Sequence, residues 1–182
     1  LYGAVAFYRA CKKEGVHPII GCEVYVARTS RFSKEGKNDF SGDHLILLVE
    51  NEVGYRNLIQ MVSQSFTEGF YMRPRVDMEL LREHHEGLIA LSACLAGKIP
   101  QEILSGDYEA ARSTALAYSR LFGAEHFYLE VQDHLLPDEK RVAMSLRAIS
   151  EETGIPLVAT NDVHYLRRRD AEMQSVLMCI QT

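Results

Sequence analysis

The sequence predicts an α/β domain, because short apolar runs rich in β-forming residues alternate with amphipathic helical segments along the whole chain. This alternation favours a mostly parallel sheet with helices outside it, and an open sheet and a closed barrel explain it equally well. A length of 182 residues with 47% hydrophobic content is enough to bury one sizeable core, which predicts a single domain over residues 1–182.

Helices are predicted where apolar residues recur at helical spacing between capping signals. The first covers residues 4–14 and ends at Gly15. Asn51, Asp77 and Asp107 are placed to cap three later helices, and Gly154 is placed to end another. These later helices are predicted between Asn51 and Gly69 and at Met78–His84, Tyr108–Phe122, Pro137–Thr153 and Asp170–Ile180.

Strands are predicted at the apolar runs between these helices. Arg28–Asp43 is polar and rich in Ser, Gly and Lys, which predicts a loop, and Phe70–Asp77 is interpreted as a connection. The predicted strands are His17–Ala27, His44–Glu50, Glu86–Cys94, Phe127–Gln132 and the run Ile155–His164, which turns polar at Asn161.

Composition excludes several classes of protein. A net charge of −5 and a pI near 5.8 argue against nucleic-acid binding through a broad basic surface, and the basic run Arg167–Arg169 is interpreted as a solvated loop. The four cysteines form no C-x-x-C motif, which fits a reduced, cytoplasmic setting. No apolar stretch approaches the length of a membrane span and no signal peptide precedes the first helix, so no membrane partner is expected. The chain begins mid-pattern at Leu1, which indicates a fragment.

Polar residues follow several predicted strands and suggest a metal site. Asp162 and His164 come at the end of an apolar run, and alternation along extended backbone would project both to the same side. Glu23 and Cys94 lie toward the carboxyl ends of two other strands, which share one face in a parallel α/β fold. Carboxylate, imidazole and thiolate are the ligands of zinc, and mixed sites of this kind also take manganese or iron.

Each of these residues also has an ordinary structural interpretation. Asp162 and His164 could be a loop hydrogen-bonding pair, Cys94 a small buried apolar residue, and Glu23 a solvated strand end. His44 lies at the start of its strand and is a poor candidate by position, and His134 beside Asp133 fits about as well. His84 and His85 are interpreted as exposed helix-end residues. Without a G-x-S-x-G elbow or a Gly-rich phosphate loop, the pattern indicates an α/β domain with a metal site and nothing narrower.

Whole segments closely resemble the polymerase and histidinol phosphatase (PHP) domains of bacterial replicative DNA polymerases. The matching strings are PIIGCEVYVA, HLILLVENEVGYRNLIQMVSQSFTEGFYMRPRVD, EGLIALSACLAGKIP, HFYLEVQDH, PLVATNDVHYL and DAEMQSVLMCIQT, and together they span nearly the entire chain. The resemblance implies a distorted seven-stranded α/β barrel with a polynuclear metal cluster at one mouth. Carried over position by position, the family's metal ligands fall on Glu23, His44, Cys94, Asp162 and His164, which raises His44 and lowers His134 as candidates.

The resemblance also implies that part of the family pattern lies upstream of Leu1. An H-x-H motif, a nearby Asp and a T-D-H-G motif belong to that part, so the first strands and nearly half of the ligands are expected outside this fragment. The divalent metal cluster is therefore expected to be incomplete here. The Arg28–Asp43 loop has no room for the exonuclease that one form of the family carries inside this domain.

The implied parent is a replicative polymerase that extends a primer on DNA from deoxynucleoside triphosphates, together with other holoenzyme subunits. The PHP domain would then either remove 3′-terminal nucleotides by metal-assisted hydrolysis, or act as a scaffold that stabilises the polymerase and docks a separate proofreading exonuclease. A third alternative is a free-standing phosphoesterase. The long match through Gly54–Asp77 and on to Thr182 argues against this last alternative.

Overall fold

The computed structural model describes residues 1–36 and 42–181, and it confirms the α/β class. Helices and strands alternate through most of the chain. The strands are β1 (Gly21–Val26), β2 (Asp43–Val49), β3 (Phe70–Tyr71), β4 (Arg73–Val76), β5 (Leu88–Leu91), β6 (Phe127–Val131) and β7 (Leu157–Ala159). The α-helices are α1 (Ala4–Lys13), α2 (Glu52–Thr67), α3 (Met78–His84), α4 (Lys98–Leu104), α5 (Tyr108–Phe122), α6 (Pro137–Thr153) and α7 (Ala171–Gln181).

The strands form one mixed sheet in the order β3-β4-β1-β2-β5-β6-β7, so the expectation of a mostly parallel sheet is wrong. β4 runs parallel to β1, and β5, β6 and β7 run parallel to one another. β2 runs antiparallel to both of its neighbours, β1 and β5. In the described ranges the sheet is open, with β3 and β7 at its edges, and the barrel closure implied by the resemblance is not present.

Several predicted boundaries differ from the structure. The segment interpreted as a connection, Phe70–Asp77, contains the antiparallel pair β3 and β4. The predicted strand starting at His17 begins only at Gly21, and the run from Ile155 leaves the sheet after Ala159. Helix α4 was not predicted, because it begins without a side-chain cap and carries Pro100 in its first turn. The predicted loop Arg28–Asp43 falls partly outside the described residues, and Asp43 itself belongs to β2.

The predicted helix caps are confirmed. The side chains of Asn51, Asp77 and Asp107 each accept a hydrogen bond from a backbone N–H in the first turn of α2, α3 and α5 respectively. Gly154 ends α6 in the left-handed conformation, with φ of 75°. Asp77 also binds Arg31, whose backbone N–H and guanidinium both donate to its carboxylate at 2.9 and 3.1 Å. The chain after β1 is thereby fixed to the start of α3.

The core lies on one face of the sheet, beneath helices α2, α5 and α6. In β2, Leu45 and Leu47 point into this core and are 1% and 0% exposed, whereas His44 and Ile46 point to the opposite, less buried face. The less buried face of β1 and β2 thus carries polar side chains, among them that of His44.

The described residues contain no helix with the length and apolarity needed to cross a membrane.

Candidate metal centre

Glu23 reaches the less buried face because it lies on β1 between core residues. Cys22 and Val24 alternate with it, and Val24 is packed in the core. Glu23 and Tyr25 therefore share the opposite face. The polar residue within this apolar strand does not disrupt the core, since its carboxylate faces outward.

His44 lies beside Glu23 because β2 reverses direction. His44 is paired in register with Tyr25 of β1, and its ring meets the Tyr25 ring edge-on, with centroids 5.0 Å apart. Its backbone N–H donates to the carbonyl of Ala96 at 3.0 Å, beyond the end of β5. The start of an antiparallel strand thus meets the carboxyl-terminal side of both neighbours. The start of β2, which would lie far from the carboxyl ends of its neighbours in a parallel sheet, brings His44 next to Glu23 and Cys94 in this sheet.

Cys94 follows β5 on a tight turn. Ala93 adopts a left-handed backbone, with φ of 63°, and the Gly97 N–H donates to the Cys94 carbonyl at 2.9 Å. A Cβ on Gly97 would lie 2.2 Å from the carbonyl oxygen of Ser92, so only glycine fits there without movement of the backbone. The turn places the Cys94 side chain against β2.

The three side chains meet at one point. Nδ1 of His44 lies 3.2 Å from Oε1 of Glu23 and 3.6 Å from Sγ of Cys94. A donor atom from each residue lies within 4.8 Å of the other two, and no other group of this kind is found in the described parts of the chain. An oxygen, a nitrogen and a sulfur donor at this spacing fit a zinc-like ion.

The charges of the cluster are coupled. The pKa of His44 is raised to about 10, first by its hydrogen bond with Cys94 and then by its hydrogen bond with Glu23, while burial acts in the opposite direction. The pKa of Glu23 is lowered chiefly by the hydrogen bond with His44, and the charge of His164 acts in the same direction. Without a metal ion, His44 therefore carries a proton at neutral pH between two acceptors.

Asp162 and His164 lie near this cluster but outside its 4.8 Å limit. The expectation that Asp162 and His164 project to the same side of an extended strand is wrong. The strand β7 ends at Ala159, and Asp162 has a left-handed φ of 44°. The two residues instead contact each other: Nδ1 of His164 lies 2.7 Å from the backbone carbonyl of Asp162 and 3.9 Å from its carboxylate. Both line the same groove as Cys94, with a volume of about 680 Å³.

Three other histidines, His134, His84 and His85, make contacts away from the cluster. His134 uses both ring nitrogens within the protein, since Nδ1 lies 2.7 Å from Glu139 and Nε2 lies 2.9 Å from the carbonyl oxygen of Asn161. Its pKa is raised, mainly by the hydrogen bond with Glu139. His84 and His85 lie at the end of α3, where they contact Asn57 and the carbonyl of Arg82.

Sequence reasoning missed a polar network beside the groove. It joins Glu130 on β6 and Gln132 just after β6 with Thr160 after β7, and Glu139 lies nearby in the first turn of α6. A signal was present, because Glu130 and Gln132 occupy alternate, polar positions of the predicted strand Phe127–Gln132. The burial of Glu130 and Glu139 was not apparent from that alternation.

The fold and the sequence place the chain in a known family. A family model described as "PHP domain" matches residues 1–134, and the chain belongs to this family. Asp162 and His164 lie beyond the matched residues.

Three relatives that match the whole chain carry the same name. The chain is 47% identical to DNA polymerase III subunit alpha of Treponema pallidum over 186 residues, which cover all of this chain and 16% of the relative. It is 46% identical to the protein of the same name from Borreliella burgdorferi, with the same coverage, and 44% identical to that from Thermus aquaticus, of which it covers 15%. The chain thus spans about a sixth of the length of these curated relatives.

Proposed function

We propose that this chain is the PHP domain of a replicative DNA polymerase and that it binds divalent metal ions through Glu23, His44 and Cys94. The convergence of these three donors within 4.8 Å, from strands β1 and β2 and the turn after β5, carries the proposal. Similarity to DNA polymerase III subunit alpha over the whole chain supports the parent protein, which would act on DNA and deoxynucleoside triphosphates with the other holoenzyme subunits. Strands outside this chain would complete the barrel and the metal cluster.

Asp162 and His164 are proposed as further ligands. They share the groove with Cys94, and the charge of His164 already acts on Glu23. The set of donors fits zinc, manganese or iron. A divalent ion held by these residues would supply a hydroxide near neutral pH and would stabilise negative charge on a phosphoester.

The chain's own residues suit this chemistry. Glu23 and Asp162 offer carboxylate oxygens and Cys94 offers a sulfur to a cation, while His44 has to lose its proton before its Nδ1 can bind metal. The groove beside Cys94 is open to solvent and large enough for the end of a nucleic-acid strand. We therefore propose hydrolysis of the 3′-terminal phosphodiester of DNA as the reaction of the domain.

Excision by the full-length protein tests the nuclease function. Asp162→Asn removes the negative charge of a proposed ligand and should lower metal-dependent release of 3′-terminal nucleotides by about 100-fold. Asp133→Asn is the matched control, since Asp133 is exposed and its side chain accepts a hydrogen bond from the N–H of Leu135. Equal excision by the Asp162→Asn variant and the wild type would reject the nuclease function.

A scaffold role is a second candidate, favoured by the apolar surface of α7. Five of its side chains are at least half exposed: Met173, Val176, Leu177, Met178 and Ile180. An apolar helix face of this kind is typical of a surface that packs against another part of a protein. The domain would then stabilise the polymerase or dock a proofreading exonuclease. In a pull-down of the proofreading exonuclease with purified full-length protein, Leu177→Glu should weaken the binding of the exonuclease. Asp162→Asn should leave this binding unchanged.

A further inference from the structure

Two buried carboxylates are linked by hydrogen bonds to the Thr160–His164 segment, which carries Asp162 and His164. Glu130 on β6 and Glu139 on α6 are each 6% exposed. Burial of a carboxylate is unfavourable unless hydrogen bonds or charges compensate for it. The partners of these two residues therefore indicate what they stabilise.

Glu130 holds the start of the segment through Thr160. Its Oε1 accepts a short hydrogen bond from the Thr160 hydroxyl and a second from the amide of Gln132 at 3.1 Å. The same Gln132 amide lies 3.2 Å from the Thr160 hydroxyl oxygen, which closes a three-membered network. Oε2 of Glu130 has no hydrogen-bond partner in the part of the chain that the structure describes. Local structure thus does not fully compensate for the burial of this carboxylate.

Glu139 holds the middle of the segment through His134. The carboxylate accepts hydrogen bonds from the backbone N–H of His134 at 2.6 Å and from the ring at 2.7 Å. Nε2 of the same ring lies 2.9 Å from the carbonyl oxygen of Asn161. This path ends one residue before Asp162.

The segment depends on these contacts because the sheet no longer holds it. The last ladder bond runs from the Thr160 N–H to the Val131 carbonyl at 3.1 Å. Asp162, two residues later, has the left-handed backbone described above. We propose that Glu130, acting through Thr160, and Glu139, acting through His134, are positioning residues that fix Asp162 and His164 for metal binding. This inference rests on the proposed metal site.

The test uses Co²⁺ alone as the probe in the full-length protein, with affinity and the visible absorption spectrum as readouts. Thr160→Val removes the hydroxyl at nearly constant shape. It should lower Co²⁺ affinity by about 10-fold, which is the lower end of the loss typical when the hydrogen-bond partner of a ligand segment is removed, and should alter the ligand-field bands. Thr160→Ser keeps the hydroxyl and should restore wild-type affinity, which a packing role of the methyl group would not do.

Two variants of Glu130 test whether this carboxylate acts through its hydrogen bond with Thr160. Glu130→Gln retains an oxygen that can accept the Thr160 hydrogen bond and should bind Co²⁺ within about threefold of the wild type, whereas Glu130→Ala should match Thr160→Val. Thr67→Val is the control, because Thr67 is an exposed residue whose hydroxyl donates to the Ser63 carbonyl at the end of α2. A Thr160→Val variant with wild-type affinity and spectrum would overturn the positioning role while leaving the metal site intact. Absence of Co²⁺ binding by the wild type would overturn the metal site and this inference together.

Discussion

The Glu23–His44–Cys94 cluster, through Cys94, and the Thr160–His164 segment, through Asp162 and His164, border the same groove but are held in different ways. Hydrogen-bonded strand pairs fix Glu23 and His44, and a tight turn closed by Gly97 fixes Cys94. The segment lies beyond the end of β7 and depends on side-chain contacts with buried carboxylates. Sheet register can thus preorganise a site by backbone pairing alone, whereas a segment past a strand end needs a second layer of polar side chains.

The largest expected effect is the loss of the Cys94 sulfur. Cys94→Ala should lower Zn²⁺ affinity by more than about 100-fold, because it removes a ligand from the preorganised cluster. Asp162→Asn should cost less, about 10-fold, since its segment is less rigidly held. Isothermal titration of the full-length protein measures both, with Cys179→Ala on the exposed face of α7 as the control. Equal losses for the two variants would contradict the difference in rigidity.

A smaller effect is expected from the turn that positions Cys94. Gly97→Ala would bring a Cβ within 2.2 Å of the Ser92 carbonyl oxygen, and relief of that clash should cost about 2 kcal/mol. Hydrogen exchange at the His44 amide, which donates to Ala96, reports this local opening. Gly3→Ala is the control, because a Cβ there meets no atom within 4 Å. Unchanged exchange at His44 would show that the turn tolerates a side chain.

Most of the secondary structure follows from local signals, and most of the errors concern non-local pairing. The caps at Asn51, Asp77 and Asp107 were predicted because each acts within its own first turn. The direction of β2 was not, since it depends on partners up to tens of residues away. The proximity of His44 to Glu23 and Cys94 was consequently not expected from its position, and the family resemblance alone raised it as a candidate. The turn at Asp162 was missed because a left-handed aspartate leaves no periodic pattern.

The metal affinity of the cluster is expected to change with pH, and its change per pH unit is the smallest of the expected effects. His44 has a raised pKa of about 10, and a metal ion must displace its proton, so affinity should rise about tenfold per pH unit through the neutral range. Without metal, the protonated His44 stabilises the fold fully below its ordinary pKa of 6.5, and this contribution is lost as the pH rises toward 10. Zn²⁺ titrations between pH 6 and 8 measure the slope.

Two variants sharpen this pH experiment. His44→Gln should flatten the dependence, whereas His84→Gln, at the end of α3 and outside the cluster, should retain it. A flat profile in the wild type would mean that metal binding releases no proton from the cluster. The proton on His44 would then not govern metal affinity.

The reversal of β2 has a consequence for how this protein can vary. The connection from β1 to β2 joins their paired ends, Val26 and Asp43, at the rim of the sheet beside His44. Arg31 anchors the first part of that connection to Asp77, independently of the ladder that sets the ligand spacing. Residues added or removed between Arg31 and Asp43 should therefore leave the spacing of Glu23 and His44 unchanged.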